Sequence, residues 1–298
     1  MKVGVLVPWW VEGYDHAVAR EVAVTAEGLG YDAVWFADHL AVPETETPKL
    51  RRTWYDAPTL MAHVAAHTSR IRLGTNVLVA PYRHPLLSAK MLATVDAVSD
   101  GRLTVGVGSG FVPGEFSALG VDHFDDRGAY TDECIRVWKT VWRGGTASFS
   151  GRWVSFENVA VDPPTVQQPH PPIWVGNLGR RVLERVATLG DGWHPVGLSV
   201  PALRAGVERL HTLWDEQRRT GAPAISYGGN PGPVTRAPVP EDGRPLLTGG
   251  TEQVRRDLEE LAAVPCDNVV FRLGDRGPDD TLPRFLAQLE LLATILRP

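Results

Sequence analysis

Eight short runs rich in β-branched and apolar residues alternate with helical patterns along the 298-residue chain. This alternation constrains the fold more than any other feature, because successive βα units wind into a parallel sheet. The predicted strands are residues 2–8, 32–37, 71–79, 103–109, 172–176, 191–196, 224–229 and 268–273. Their apolar character is nearly continuous, as in Leu103, Val105 and Val107 or Val269, Val270 and Phe271, which suits strands covered on both faces. Eight such units predict an α/β fold, a (β/α)8 TIM barrel built as one domain over residues 1–298.

The segments between strands carry helix punctuation. Asp15 is the predicted N-cap of a helix over 15–29 that stops at Gly30. His84-Pro85 opens a helix through Val98, closed by Asp100-Gly101, and Thr251 heads another through Ala263. An amphipathic helix over 127–143 lines up Tyr130, Cys134, Val137, Trp138 and Val141. Two insertions interrupt the rhythm. Residues 144–171, after strand four, hold a predicted hairpin of 147–149 against 153–156, turning at Ser150-Gly151-Arg152. Residues 230–250, after strand seven, are rich in proline and glycine and read as a structureless, mobile connection that serves as a lid or substrate loop.

Charge and cysteine content exclude several classes. The net charge of −5 comes from interspersed residues of both signs, with no basic stripe for nucleic acid. Cys134 and Cys266 are the two cysteines, too few for a disulfide framework or a zinc site. The first strand begins at Lys2 where a leader would show a long apolar run, and no segment approaches the ~20 apolar residues of a bilayer span. The expectation is a cytoplasmic protein with no membrane or nucleic-acid partner.

In a barrel, chemistry sits on the loops after the strand C-termini. Strand two ends Ala37-Asp38-His39, an acid beside an imidazole that suits proton transfer; the alternative is that His39 only hydrogen-bonds a neighbouring loop. Trp9 and Trp10 follow strand one and either wall an apolar substrate pocket or pack against a loop. His63 and His67 are four apart without an evident third ligand, so no metal is expected. Gly176 to Gly179 present small side chains and amides at a helix start, with Arg180 and Arg181 adjacent, which is a phosphate-binding pattern. Gly106-Val107-Gly108-Ser109-Gly110 is not a dinucleotide fingerprint, because its third glycine has the wrong spacing.

The run Gly74-Thr75-Asn76-Val77-Leu78-Val79-Ala80-Pro81-Tyr82-Arg83-His84-Pro85 resembles the luciferase-like monooxygenase superfamily, particularly its branch that uses the deazaflavin coenzyme F420. Ser99-Asp100-Gly101-Arg102 through Phe111, Glu115-Phe116 with Gly120 and Arg127, Pro172 to Gly179, and Leu189 to Trp193 extend the resemblance over about residues 1–195. The resemblance implies a non-proline cis peptide at Asn76-Val77 behind the cofactor ring. It implies ring contacts from Asp38, Thr75, Asn76, Val77, Val107, Gly108 and Ser109, and a phosphate at Gly176, Asn177, Leu178 and Gly179. His39 would handle a proton with Asp38 on the ring system, while Trp9, Trp10, Tyr82 and Phe111 would line the substrate site.

The implied activity is F420-dependent hydride transfer between cofactor C5 and a small organic or natural-product substrate. The alternatives are an FMN-dependent monooxygenase fed by a separate reductase, and a barrel without cofactor acting as a binding protein. A homodimer is the implied assembly. The sugar-phosphate and alcohol dehydrogenases of this branch keep a glutamate and a tryptophan where this chain has Phe111 and Pro43. Their substrates are therefore not implied. Glu115, four residues beyond Phe111, either replaces the missing acid or serves the loop. The loops expected to set the substrate are 40–55, 111–126 and 230–250.

Overall fold

The computed structural model describes residues 1–47, 53–274 and 280–296. Residues 48–52 of the expected substrate loop 40–55 thus lie outside the described residues. Thirteen strands are found among those described: β1 (Lys2–Leu6), β2 (Ala33–Phe36), β3 (Arg72–Thr75), β4 (Leu78–Val79), β5 (Leu103–Gly108), β6 (Thr146–Ser150), β7 (Ser155–Ala160), β8 (Ile173–Gly176), β9 (Gly192–His194), β10 (Ala224–Gly232), β11 (Val234–Thr235), β12 (Gly249–Gly250) and β13 (Asn268–Leu273). The main sheet runs β3-β2-β1-β13-β10-β9-β8-β5-β4, and β3 also pairs with β5. With β3 and β4 as two pieces of one broken strand, this is the closed eight-stranded parallel sheet of a (β/α)8 barrel.

The chain divides into two compact units. The first comprises Met1–Trp35, Arg70–Arg72 and Trp174–Pro298. Within it β1 pairs in parallel with β2 and β13, β10 with β13 and β9, and β9 with β8. Its helix α1 (His16–Leu29) is capped as its sequence dictates: Val18 N donates to Asp15 Oδ1 at 2.9 Å, and Gly30 leaves the helix at φ 88°. Val18, Ala19, Val22, Ala23 and Ala26 form the buried stripe.

The second unit comprises Phe36–Ser69 and Leu73–Ile173. Here β5 pairs with both β3 and β4, and every residue of β5 is buried. Around it lie helices α2 (Ala57–Ala65), α3 (Pro85–Val98), α4 (Pro113–Ala118) and α5 (Arg127–Val141). The hairpin β6–β7 sets Phe149 opposite Phe156. One buried carboxylate of α5 holds its tip, for Glu133 accepts from the amides of Arg152, Trp153 and Val154 at 2.7–2.8 Å. A Cβ on Gly151 would lie 2.5 Å from that carboxylate carbon, so the tip requires glycine.

Two expectations need correction. The run 71–79 is not one strand; it breaks between β3 and β4 at Asn76-Val77, which is cis. Residues 230–250 are not a structureless connection, because β10 continues to Gly232 and β11 pairs with β12. The segment is pinned by Arg244, whose guanidinium meets Asp257 at 2.6 and 2.7 Å, and by Gln253, which bridges to Val239 and Gly250. Asp257 and Gln253 belong to α8 (Thr251–Ala262), which follows α6 (Arg180–Leu189) and α7 (Val200–Glu216) and precedes α9 (Leu282–Leu296). Cys134 and Cys266 are both buried and free. Among the described residues no cluster of His, Cys, Asp and Glu suits a metal, and no helix is long and apolar enough to cross a membrane.

The interior of the first unit contains a buried imidazole. His194 on β9 stacks on Trp35 (centroids 5.0 Å apart, planes at 9°), and its Nδ1 meets Ser226 Oγ at 2.8 Å. Burial, reinforced by the charge of Arg272, pushes its pKa from 6.5 down to about 4. The unfolded chain therefore takes up a proton below pH 6.5 that the folded chain refuses until about pH 4. Stability should fall by up to about 3 kcal/mol through that window as pH drops. Urea unfolding at pH 7.5 and 4.5 should show this loss in the wild type and lack that component in His194→Phe.

Candidate active site

Regular strand structure ends at Phe36, and just beyond it Asp38 and His39 engage different partners. Asp38 points into the protein and is buried. Its carboxylate accepts two hydrogen bonds from Arg83, at 2.8 and 2.7 Å, and one from the amide of Val79 at 3.0 Å. Arg83 also donates to Asp56 at 2.5 Å. Asp56 in turn caps α2 by accepting from Thr59 N at 2.9 Å. Burial works against the charge on Arg83, but its bonds to Asp38 and Asp56 outweigh that and raise the guanidinium further above its usual range. This charged cluster ties the end of β2 to β4 and to the start of α2.

The carboxylate that His39 meets is Glu115 of α4, not the neighbouring Asp38. Its Nδ1 lies 2.5 Å from Glu115 Oε2. Tyr82 Oη donates to the same oxygen at 2.9 Å, while the amides of Leu40 and Ala41 donate to Oε1 at 2.9 and 3.2 Å. Glu115 has no exposed surface. Burial alone would raise its pKa, yet the contact with His39 and the bonds from Leu40 and Tyr82 reverse the sign and hold it below the usual carboxylate range. Four donors on one carboxylate keep it anionic. His39 Nδ1 thereby carries the hydrogen toward Glu115, leaving Nε2 as the nitrogen free to exchange a proton.

The imidazole contacts two aromatic rings. Trp54 lies 4.5 Å away by centroids at 54°, and Phe111 lies 6.0 Å away, edge on at 89°. Phe111 is 67% exposed. It follows Gly110, whose φ of 76° turns the chain, and whose carbonyl accepts from Arg127 Nε at 3.2 Å. Tyr82 is buried, so its hydroxyl supports Glu115 and its ring does not line an open site.

Close backbone packing marks the break between β3 and β4. Thr75 Oγ1 donates to the carbonyl of Gly106 at 2.6 Å. A Cβ on Gly106 would lie 1.9 Å from the Thr75 carbonyl oxygen, and one on Gly108 would lie 2.6 Å from Val77 Cγ2. Only glycine lets β5 run this close to Thr75, Asn76 and Val77. Val107 is buried and Ser109 half-buried at the end of the same strand.

In the other unit, Gly176 ends β8 and Asn177 turns at φ 84°, its carbonyl accepting from Trp193 Nε1 at 3.0 Å. Leu178 is exposed, and Gly179 stands at the N-cap of α6 with φ 104° and no side-chain cap. Trp10 is buried and packs edge on against Trp9 at 4.7 Å and Phe285 at 6.5 Å. Of the two sequence readings, packing holds for Trp10.

Reasoning from sequence did not single out Arg83, Asp56 or Trp54. Asp56 carried a usable signal, since Asp-Ala-Pro is an N-cap followed by proline in the first turn. Arg83 and Trp54 carried none, because each acquires its role from a partner distant in sequence.

The sequence profile of the luciferase-like monooxygenase family matches residues 1–232. An FMNH(2)-dependent dimethylsulfone monooxygenase from Pseudomonas putida is 31% identical over 52% of this chain and 43% of its own length. An F420-dependent glucose-6-phosphate dehydrogenase from Amycolatopsis mediterranei is 30% identical over 70% of this chain and 64% of its own. The first such relatives are thus matched over about half of their length. Among solved structures, monooxygenase RslO1 from Streptomyces bottropensis superposes with a TM-score of 0.83 at 21% identity, covering 99% of this chain and 98% of that one.

The buried ion cluster makes a direct prediction. Arg83→Met leaves the Asp38 carboxylate buried beside an apolar chain and should destabilise the protein by about 3–5 kcal/mol. Denaturant unfolding measures this, and Arg83→Lys, which keeps the charge and loses the fork, should fall between.

Proposed function

The chain belongs to the luciferase-like monooxygenase family, and from that premise we propose that it is an F420-dependent oxidoreductase acting on a small organic or natural-product substrate. The observation that carries the reading is the His39–Glu115 pair, a solvent-reaching imidazole whose Nδ1 is held at 2.5 Å by a saturated, buried carboxylate. Such an arrangement suits proton transfer beside a redox centre whose own atoms carry the electrons.

Two features favour a flavin-type group. The glycines of β5 bring its backbone close against Thr75 and Val77, which braces the break at Asn76-Val77 where a planar ring would rest. The first amides of α6 have no side-chain cap, and a phosphate at that helix start would lie beside Gly176, Asn177, Leu178 and Gly179. Thr75, Asn76, Val77, Val107, Gly108 and Ser109 would hold the ring. When bound, the deazaflavin supplies or accepts a hydride at C5.

The protein's part is orientation and the proton. Glu115 fixes the imidazole plane and the hydrogen on Nδ1. His39 Nε2 then gives a proton to a substrate heteroatom in one direction and takes it back in the other. Asp38 takes part through Arg83 and Val79, fixing the strand end from which His39 projects.

A second reading is favoured by the similarity to the FMNH(2)-dependent monooxygenase: FMN in the same place, oxygen as co-substrate and a separate reductase. Titration of the purified protein with F420, followed by quenching of cofactor fluorescence, separates the two. F420 binding without FMN binding supports the first; FMN binding with oxygen consumption on supply of reduced FMN replaces it with the second. Binding of neither would leave a barrel that acts without a cofactor.

His39→Ala should lower turnover by about 10²- to 10⁴-fold with cofactor affinity preserved. Glu115→Gln should lower kcat and displace the pH profile, since it removes the anion facing Nδ1 while keeping its volume. Wild-type turnover in His39→Ala would remove His39 from the mechanism.

A further inference from the structure

We propose, building on the reading of His39 as the proton-exchanging residue, that the substrate is an uncharged aromatic compound whose ring lies against Phe111 and Trp54, with an oxygen substituent at His39 Nε2. The first argument is the wall around the imidazole. Trp54 and Phe111 lie within 4.5 and 6.0 Å of it by ring centroids. Phe111 is 67% exposed and follows a backbone turn that is itself held, since Gly110 turns at φ 76° and Arg127 binds the Gly110 carbonyl. A solvent-facing phenyl ring beside a proton-exchanging imidazole is a surface for a second aromatic ring, whose edge and face complement its own.

The second argument is charge. Among the described residues, Asp38, Asp56 and Glu115 set three carboxylates against the guanidiniums of Arg83 and, at the Gly110 turn, Arg127. The Arg83 guanidinium is spent on Asp38 and Asp56, and it is buried. Arg127 is committed to the carbonyls of Gly110 and Phe124, so the described carboxylates disfavour an anionic substrate and neither guanidinium is set to pair with one. Glu115 already accepts four hydrogen bonds, so it is not the partner of a cationic one. Asp56 is engaged by Thr59 and Arg83, and among the described residues of the cluster His39 is the polar side chain in ring contact with Trp54 and Phe111. Its Nε2 suits a phenol, quinone or aryl ketone oxygen.

Calorimetric titration of the protein, with and without bound cofactor, tests this with three probes of similar size: 2-naphthol, 2-naphthoate and 2-decalone. 2-Naphthol should bind at least tenfold more tightly than either of the others. Phe111→Ala should weaken 2-naphthol by about 5- to 30-fold without changing the thermal midpoint, and Phe111→Trp should restore it. Equal binding of 2-naphthol and 2-decalone, tighter binding of 2-naphthoate, no binding of 2-naphthol, or unchanged affinity in Phe111→Ala would each overturn the proposal. Cofactor binding is read separately, so failure of the aromatic probe with F420 or FMN still bound refutes the substrate class alone. Absence of both cofactors with 2-naphthol bound as expected refutes the oxidoreductase reading instead.

Discussion

A carboxylate taken out of water costs several kcal/mol unless its lone pairs are filled, and Glu115 meets that condition with four donors. Those donors come from separate pieces of chain: the end of β2 supplies His39, Leu40 and Ala41, and the turn after β4 supplies Tyr82. The carboxylate can stay buried only if all of them are in place. The same requirement fixes the position and tautomer of His39. Behind it, the Asp38–Arg83–Asp56 cluster holds the other side of the β2 terminus. Two sets of buried charge, engaged by adjacent residues, thus make one strand end rigid.

The barrel was legible because its physics is local. Strands covered on both faces are largely apolar, as Leu103, Val105 and Val107 of β5 and Val269, Val270 and Phe271 of β13 are, and helix ends such as Asp15 and Gly30 announce themselves within a few residues. The hairpin β6–β7 was visible for the same reason. The site was legible only in outline. Asp38 and His39 are neighbours in sequence, which suggests a pair, but each is claimed by a different partner. Their true partners, Arg83 and Glu115, lie 45 and 76 positions away. No window of sequence displays such a match.

Residues 230–250 show the opposite error. Proline and glycine suggested an unstructured loop, yet the order there is imposed by side chains, chiefly Arg244 on Asp257 and Gln253 on Val239 and Gly250. A composition rule cannot register two polar residues that reach outward from a helix to organise the chain before it. Trp10 is a milder case: its position after β1 fits a wall and a core equally, and its contact with Phe285, near the far end of the chain, decides for core.

The grip of Glu133 on three successive amides at the tip of the β6–β7 hairpin has an evolutionary side. An insertion normally disturbs its host in proportion to the contacts it must renegotiate. Here the attachment is concentrated at the turn, where Glu133 holds the backbone, Trp153 lies edge on to Tyr130 and Arg152 meets Asp126. Variation at the exposed positions of the hairpin arms can accumulate without loosening that grip, provided that the turn residues and Glu133 are kept.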